Sequence, residues 1–306
     1  MLIRNFLFHR VSNEADPFWP PMQPFYFERI VKLLTSRYHV VPLEEYLLDP
    51  AAYSRNGKKL ASVLFDDGYK DNIEYAAPIL HKYNCPASFY VVTDCIDKNI
   101  PTWTYLLDFA LQKTQKSKIF LDFDYVSETL KKIVCGQNAE RSVPGIKPWM
   151  KQLTNDKRVV VLNTVLEQCD DVDIPGDKMM TWEEVRQLSN QGFIIGSHSH
   201  THPLLASLVD EKEIDDELRV SYAKIVAETG KSPLSISYPI GSFDQRVINT
   251  SVAAGYKFGL AVKQTFYKSY PEDLFQIPRV ELFQESWLKT MSRILGVYSA
   301  VKKVWG

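Results

Sequence analysis

A chain of 306 residues, 45% hydrophobic and 24% charged, has the makings of an ordinary globular core. Its net charge of −1 offers no basic field for a nucleic acid. No apolar run reaches the ~20 residues that span a bilayer, and the first ten residues hold no signal-peptide core. If the chain is whole as it stands, cytoplasmic residence is the expectation.

Residues 2–9 are apolar and β-prone, and read as a strand ending at His9. Pro17, Pro20, Pro21 and Pro24 mark a loop. Phe27, Ile30, Val31, Leu33 and Leu34 recur at helical spacing. A short strand at 38–41 and a short helix at 42–47 follow. The apolar run 61–65 reads as a buried strand that stops at Asp66-Asp67-Gly68. A helix is predicted over 72–83 and a strand over 87–92. Strand, helix and strand in this order argue for parallel β/α units.

Between 98 and 178 the rhythm changes. Tyr105, Leu106, Phe109, Ala110 and Leu111 look helical, and further helices are predicted over 126–135 and 156–169. This stretch reads as a mostly helical insertion. The β/α alternation then returns. A helix over 182–190 carries a capping box at its start, Thr181 with Glu184 three residues on. Strands at 193–197, 234–238 and 258–262 alternate with helices at 214–229, closed by Gly230, and 247–254. The fold class is therefore α/β, a (β/α) barrel over 1–285 interrupted by 98–178, with an amphipathic C-terminal helix in 286–306. Cys85, Cys95, Cys135 and Cys169 form no CxxC pair, and are expected to be reduced and mostly buried.

His9, Asp66-Asp67, His198 and Tyr238-Pro239 each come just after a predicted strand. In a parallel α/β barrel the C-terminal strand ends share one rim, where active sites are built. The run His198-Ser199-His200-Thr201-His202 packs three of the six histidines into five residues. On a turn, His198 and His202 can share a metal ion. On an extended strand His198, His200 and His202 would all face one side. Pro203-Leu204-Leu205, a loop entering a helix, favours the turn. Asp66-Asp67-Gly68 suits a plain β-turn, but two adjacent carboxylates can also divide a task. One ligates a metal while the other sits beside the water that the metal activates.

These residues resemble the polysaccharide deacetylases of the NodB-homology type, carbohydrate esterase family 4. That family's first motif ends in two aspartates and a glycine, matched by Phe65-Asp66-Asp67-Gly68. Its second, His-Ser/Thr-x-x-His, is matched by His198 to His202. The resemblance covers roughly 1–97 and 178–285. It implies a distorted seven-stranded barrel, Asp66 as general base, and Asp67, His198 and His202 as ligands of a divalent metal. One Asp and two His suit Zn2+; Co2+, Ni2+ or Fe2+ would also fit. The third motif departs from the common Arg-x-Pro-Tyr: here it is Ser237-Tyr238-Pro239-Ile240-Gly241. Tyr238 and Ile240 take the substrate and oxyanion side, where a backbone N–H suffices. Arg279 is the candidate to replace the missing arginine and orient Asp66. No histidine lies after His202 to supply the family's Leu-x-His general acid. Leu7-Phe8-His9 has that pattern, as in circularly permuted members, which makes His9 the candidate acid and His200 its competitor.

The implied reaction removes an N-acetyl group from an amino sugar. Without an export signal, the expected substrate is an intracellular glycan precursor, nucleotide- or lipid-linked. The segment 287–305 mixes apolar residues with Lys289, Arg293, Lys302 and Lys303, and suits contact with a membrane surface. Two other readings stay open. One is an amidase acting on a non-sugar amide. The other is a sugar-binding protein without activity, for which the absent motif-three arginine speaks.

Overall fold

The computed structural model describes residues 3–53, 59–136, 143–265 and 273–296. Eleven strands are present among them. They are β1 (Ile3–Phe8), β2 (His39–Val40), β3 (Leu60–Phe65), β4 (Ser88–Val91), β5 (Lys118–Phe120), β6 (Lys132–Val134), β7 (Ile194–Ser197), β8 (Ser235–Ser237), β9 (Phe258–Ala261), β10 (Ile277–Pro278) and β11 (Val280–Glu281). Nine of them form one sheet in the order β10-β9-β8-β7-β4-β3-β1-β11, with β2 attached to β3. Every pairing in that sheet is parallel.

The two ends of this sheet are successive pieces of chain. β10 pairs β9 and β11 pairs β1, with only Arg279 between them. The segment 277–281 is thus one stave that hydrogen-bonds on both sides and nearly closes a barrel. Counted this way the barrel has seven staves, and β2 is the addition to the expected set. A fully buried strand such as β3, with all six residues inside, reads as the continuous apolar run its sequence displays. Phe65 stacks between Phe8 and Phe89, with ring centroids 5.4 and 4.9 Å away.

Helices lie outside the sheet where the periodicity places them. The helix Trp182–Asn190 begins with the expected capping box. Glu211–Thr229 and Gln245–Ala254 both end on glycines in the left-handed region. All four cysteines are free and buried. Two local expectations fail. The stretch 126–135 is not a helix; it ends in β6, paired antiparallel to β5. Ile133 faces Ile119 across that pair, both buried, so cross-strand burial outweighs helical spacing. The helix expected over 72–83 is α-helical only from Ala77 and opens as a π-helix, Asn72–Ala76. That wider turn lets the buried Asn72 donate its amide N–H to the carbonyl of His9, 2.7 Å away.

Residues between β4 and β7 form the helices Trp103–Lys113, Val143–Met150 and Asn155–Gln168 with the β5–β6 pair. They share an apolar cluster that includes Leu107, Leu111, Ile119, Ile133, Ile146, Val161 and Val165, and Ile240 of the barrel packs against it. At the other end, the helix Trp287–Leu295 buries Thr290 and Ile294 and leaves Leu288 exposed. Tyr26 donates its hydroxyl to the Glu285 carbonyl and meets Thr290. Residues 297–306, the rest of the stretch read as suited to a membrane surface, lie outside the described residues. No helix among the described residues is long and apolar enough to cross a membrane.

Candidate metal centre and catalytic cleft

The chain leaves β3 through Asp66 into Asp67 and Gly68, both in the left-handed region at φ 77° and 81°. Such a φ is uncommon for a non-glycine residue. Here it has a use: it turns consecutive carboxylates in different directions. Gly68 is confined as well, since a Cβ there would lie 3.2 Å from Val91 Cγ1. Asp66 turns toward Arg279 and Ser237, and Asp67 toward two imidazoles.

The histidines come from the loop after β7. Ser199 and His202 take positive φ, 66° and 63°, so this is an irregular turn rather than a helix. It is held in place by Glu217 of the helix Glu211–Thr229. That carboxylate accepts the backbone N–H groups of His200 and Thr201, at 2.9 and 2.8 Å, and the Thr201 hydroxyl. His198 Nε2 lies 3.3 Å from Asp67 Oδ1 and His202 Nε2 lies 3.4 Å from the same oxygen. His198 Nδ1 meets the carbonyl of Ser237 at 2.7 Å, which leaves Nε2 free to ligate. Asp67, His198 and His202 are buried, and each offers a ligand atom within 4.8 Å of the others'. Tetrahedral ligands about 2.1 Å from an ion stand about 3.4 Å apart, so this donor set fits a divalent metal. Among the described residues it is the one such group. His200 points elsewhere: its Nδ1 meets Thr93 Oγ1 at 2.8 Å.

Arg279, at the seam of the barrel, is fully buried and donates Nη1–H to Asp66 Oδ1 at 2.8 Å. Ser237 donates its hydroxyl to Asp66 Oδ2 at 3.0 Å. Burial alone would raise the Asp66 carboxyl, but the Arg279, His198 and His9 charges hold it below its ordinary value. Asp67 is held well below its own, with burial outweighed by hydrogen bonds from His198 and His202. Burial also disfavours a charged His198, yet Asp66 and Asp67 together push it up. His202 is held down by burial, with Asp67 opposing; its Nδ1 is buried without a partner.

His9 opens on the same cleft. Its Nδ1 lies 3.4 Å from Glu281 Oε1, and Trp19 packs edge-on at 5.6 Å. The cleft has a volume of about 310 Å³, and His9, Asp66, Asp67, His198, His202 and Ile240 all line it. Ile240 sits at φ 59°, ψ 9°, a strained conformation for a β-branched residue. The side chain of Tyr238 does not take the position read for it. It is fully buried on the far side of β8, where its ring stacks on Phe243 at 4.7 Å. Strand alternation explains this: Ser237 faces the site, so Tyr238 faces away. Ser237, Glu281 and Glu217 were missed. Ser237 and Glu281 flank residues already singled out, whereas nothing in the sequence ties Glu217 to the histidine loop.

The fold and these motifs define a class. The sequence model described as polysaccharide deacetylase matches residues 53–259, and the chain belongs to that family. Its fold is similar to several solved deacetylases. The Streptococcus pyogenes deacetylase PplD, in complex with acetate, aligns with a TM-score of 0.63 at 14% identity over 95% of this chain and 96% of that one. A de-N-acetylase from Aggregatibacter actinomycetemcomitans aligns with a TM-score of 0.61 at 16% identity, covering 95% and 99% of the two chains. IcaB from Ammonifex degensii gives 0.61 at 14%, covering 95% and 96%. No curated protein matches.

Proposed function

We propose that this protein is a metal-dependent hydrolase that removes the N-acetyl group from an amino sugar. The observation that carries the reading is the division of labour between adjacent aspartates: Asp67 shares two imidazoles, and Asp66 stands 3.9 Å from His198 Nε2, outside the ligand set. Asp67, His198 and His202 would hold the ion, with Zn2+ the best match to the donors. Bound there, it supplies Lewis acidity and lowers the pKa of a bound water.

Asp66, kept ionised by Arg279, takes the proton from the attacking water as the new C–O bond forms. Ile240 lines the cleft, and its backbone N–H would hold the developing oxyanion. His9, oriented through Nδ1 by Glu281, gives a proton to the sugar nitrogen as the C–N bond breaks. Acetate and a free amine leave. His9 comes from the first strand, as in a circularly permuted arrangement of the family. A nucleotide- or lipid-linked sugar precursor remains the proposed substrate.

The test is acetate release from a panel of N-acetylated sugars and small non-sugar amides, with metal content measured on the same protein. Asp66→Asn should retain the metal and lose about 10²–10⁴-fold in kcat. Unchanged turnover would remove Asp66 from its role. Release from the non-sugar amides alone would favour an amidase, and none from any substrate would favour a binding protein.

A further inference from the structure

The segment between β4 and β7 contributes two cations to the cleft, Lys147 and Lys151. They lie one helical turn apart: the Lys151 N–H donates to the Lys147 carbonyl at 3.0 Å, at the end of the helix Val143–Met150. Like charges at this spacing repel. One of the two is neutralised within the protein. Lys147 pairs with Asp108, which is 3% exposed. Lys151 has no ion-pair partner among the described residues. The other acids lining the cleft are already engaged: Asp66 with Arg279, Asp67 with the imidazoles, Glu281 with His9. Partial desolvation and the Lys147 charge together hold the Lys151 ammonium below its ordinary pKa, against the weaker pull of Glu281 and Asp108. A ligand anion at Lys151 would supply the counter-charge that Lys147 already has from Asp108.

We propose that the substrate carries an anionic substituent near its N-acetyl group, and that Lys151, with Lys147 beside it, binds that substituent. The inference rests on the deacetylase reading and deepens it: it assigns residues to the phosphate charge that a nucleotide- or lipid-linked precursor would carry, and admits a sugar acid as the alternative bearer of that charge. Lysine is a compact point charge suited to phosphate oxygens, and the cleft is of small-ligand size, about 310 Å³. The lysines belong to the segment outside the deacetylase motifs. In this chain that segment serves as a specificity element beside the candidate metal centre.

The experiment is calorimetric titration of the metal-loaded protein, with Asp66→Asn as the common background that retains the metal and does not turn over, using three probes: methyl N-acetylglucosaminide, N-acetylglucosamine 1-phosphate and N-acetylglucosaminuronic acid. This background protein is compared with Lys151→Met and Lys151→Arg made in it. The charged sugars should bind at least about tenfold tighter than the neutral one at low salt, and the ratio should shrink on adding about 0.3 M salt. Lys151→Met should bring the ratio to within about threefold of unity, and Lys151→Arg should keep most of it. Preference for the phosphate alone, or for both charged sugars, tells phosphate from general anion recognition, and either supports the proposal. Equal affinities in the background protein, no binding of either charged sugar, or a ratio that survives Lys151→Met would overturn it. Binding is read without turnover, so this result and the acetate-release assay fail independently.

Discussion

Replacing Arg279 by Met would expose how Asp66, the proposed general base, is kept ionised. Arg279 and Asp66 are 0% and 2% exposed at their side chains and 2.8 Å apart, so solvent neither screens the pair nor rescues a lone partner. Breaking such a pair costs about 3–5 kcal/mol, because the remaining charge is buried without compensation. Asp66→Asn strands the buried Arg279 charge in the same way and should also cost about 3–5 kcal/mol. The double variant removes the stranded carboxylate as well, and should lose at least about 2 kcal/mol less than the sum. The sign of the pH dependence follows from Asp66. In wild type its folded pKa is depressed. Its stabilising contribution is therefore present above the unfolded value of about 3.9 and lost as pH falls through the folded value below it. In Arg279→Met, burial acts with less opposition, the folded pKa rises, and an ionised Asp66 costs stability instead. The deficit of the variant should be largest near neutral pH and shrink as pH falls towards about 4. The acid limb of kcat/KM should move to higher pH. Urea unfolding of the four proteins in chelator, from neutral to acid pH, measures both effects. Additivity within about 0.5 kcal/mol, or a deficit that does not change with pH, would refute the reasoning.

His9→Gln should lower kcat by about 10²–10⁴-fold with metal content unchanged; steady-state kinetics and metal analysis of the variant check this. Glu217→Ala releases three hydrogen bonds to the histidine loop, and should weaken metal affinity by about 10–100-fold while far-UV circular dichroism stays native. Gly259→Ala would place a Cβ 2.2 Å from the Tyr238 hydroxyl and 2.8 Å from the Phe275 carbonyl. It should cost about 1–3 kcal/mol in a denaturant titration, whereas Gly176→Ala, with nothing within 4 Å, should be nearly neutral.

The strands, most helices and the family were legible because each rests on local chemistry. Six buried residues of β3 appear as an unbroken apolar run, and Thr181 and Glu184 cap a helix through groups three residues apart. The Asp pair and the His loop pointed to a candidate metal centre because, each at the end of a strand, they together supply the donors a divalent ion takes, although Asp66-Asp67-Gly68 alone would also suit a β-turn. The wrong helix at 126–135 arose because β6 depends on Ile119, fourteen residues away from Ile133. Periodicity within one segment does not register that partner.

Which side chains meet was decided by closure of the sheet. The stave 277–281 pairs both β9 and β1, and so carries Arg279 to Asp66, 213 residues away in sequence, and Glu281 to His9. Strand alternation put Ser237 on the site and Tyr238 in the core, and the helix Val143–Met150 brought lysines to a cleft whose other walls it does not adjoin in sequence. Residue type and local order are written along the chain. Distance between remote segments exists only once the staves are hydrogen-bonded in register and the barrel is drawn shut.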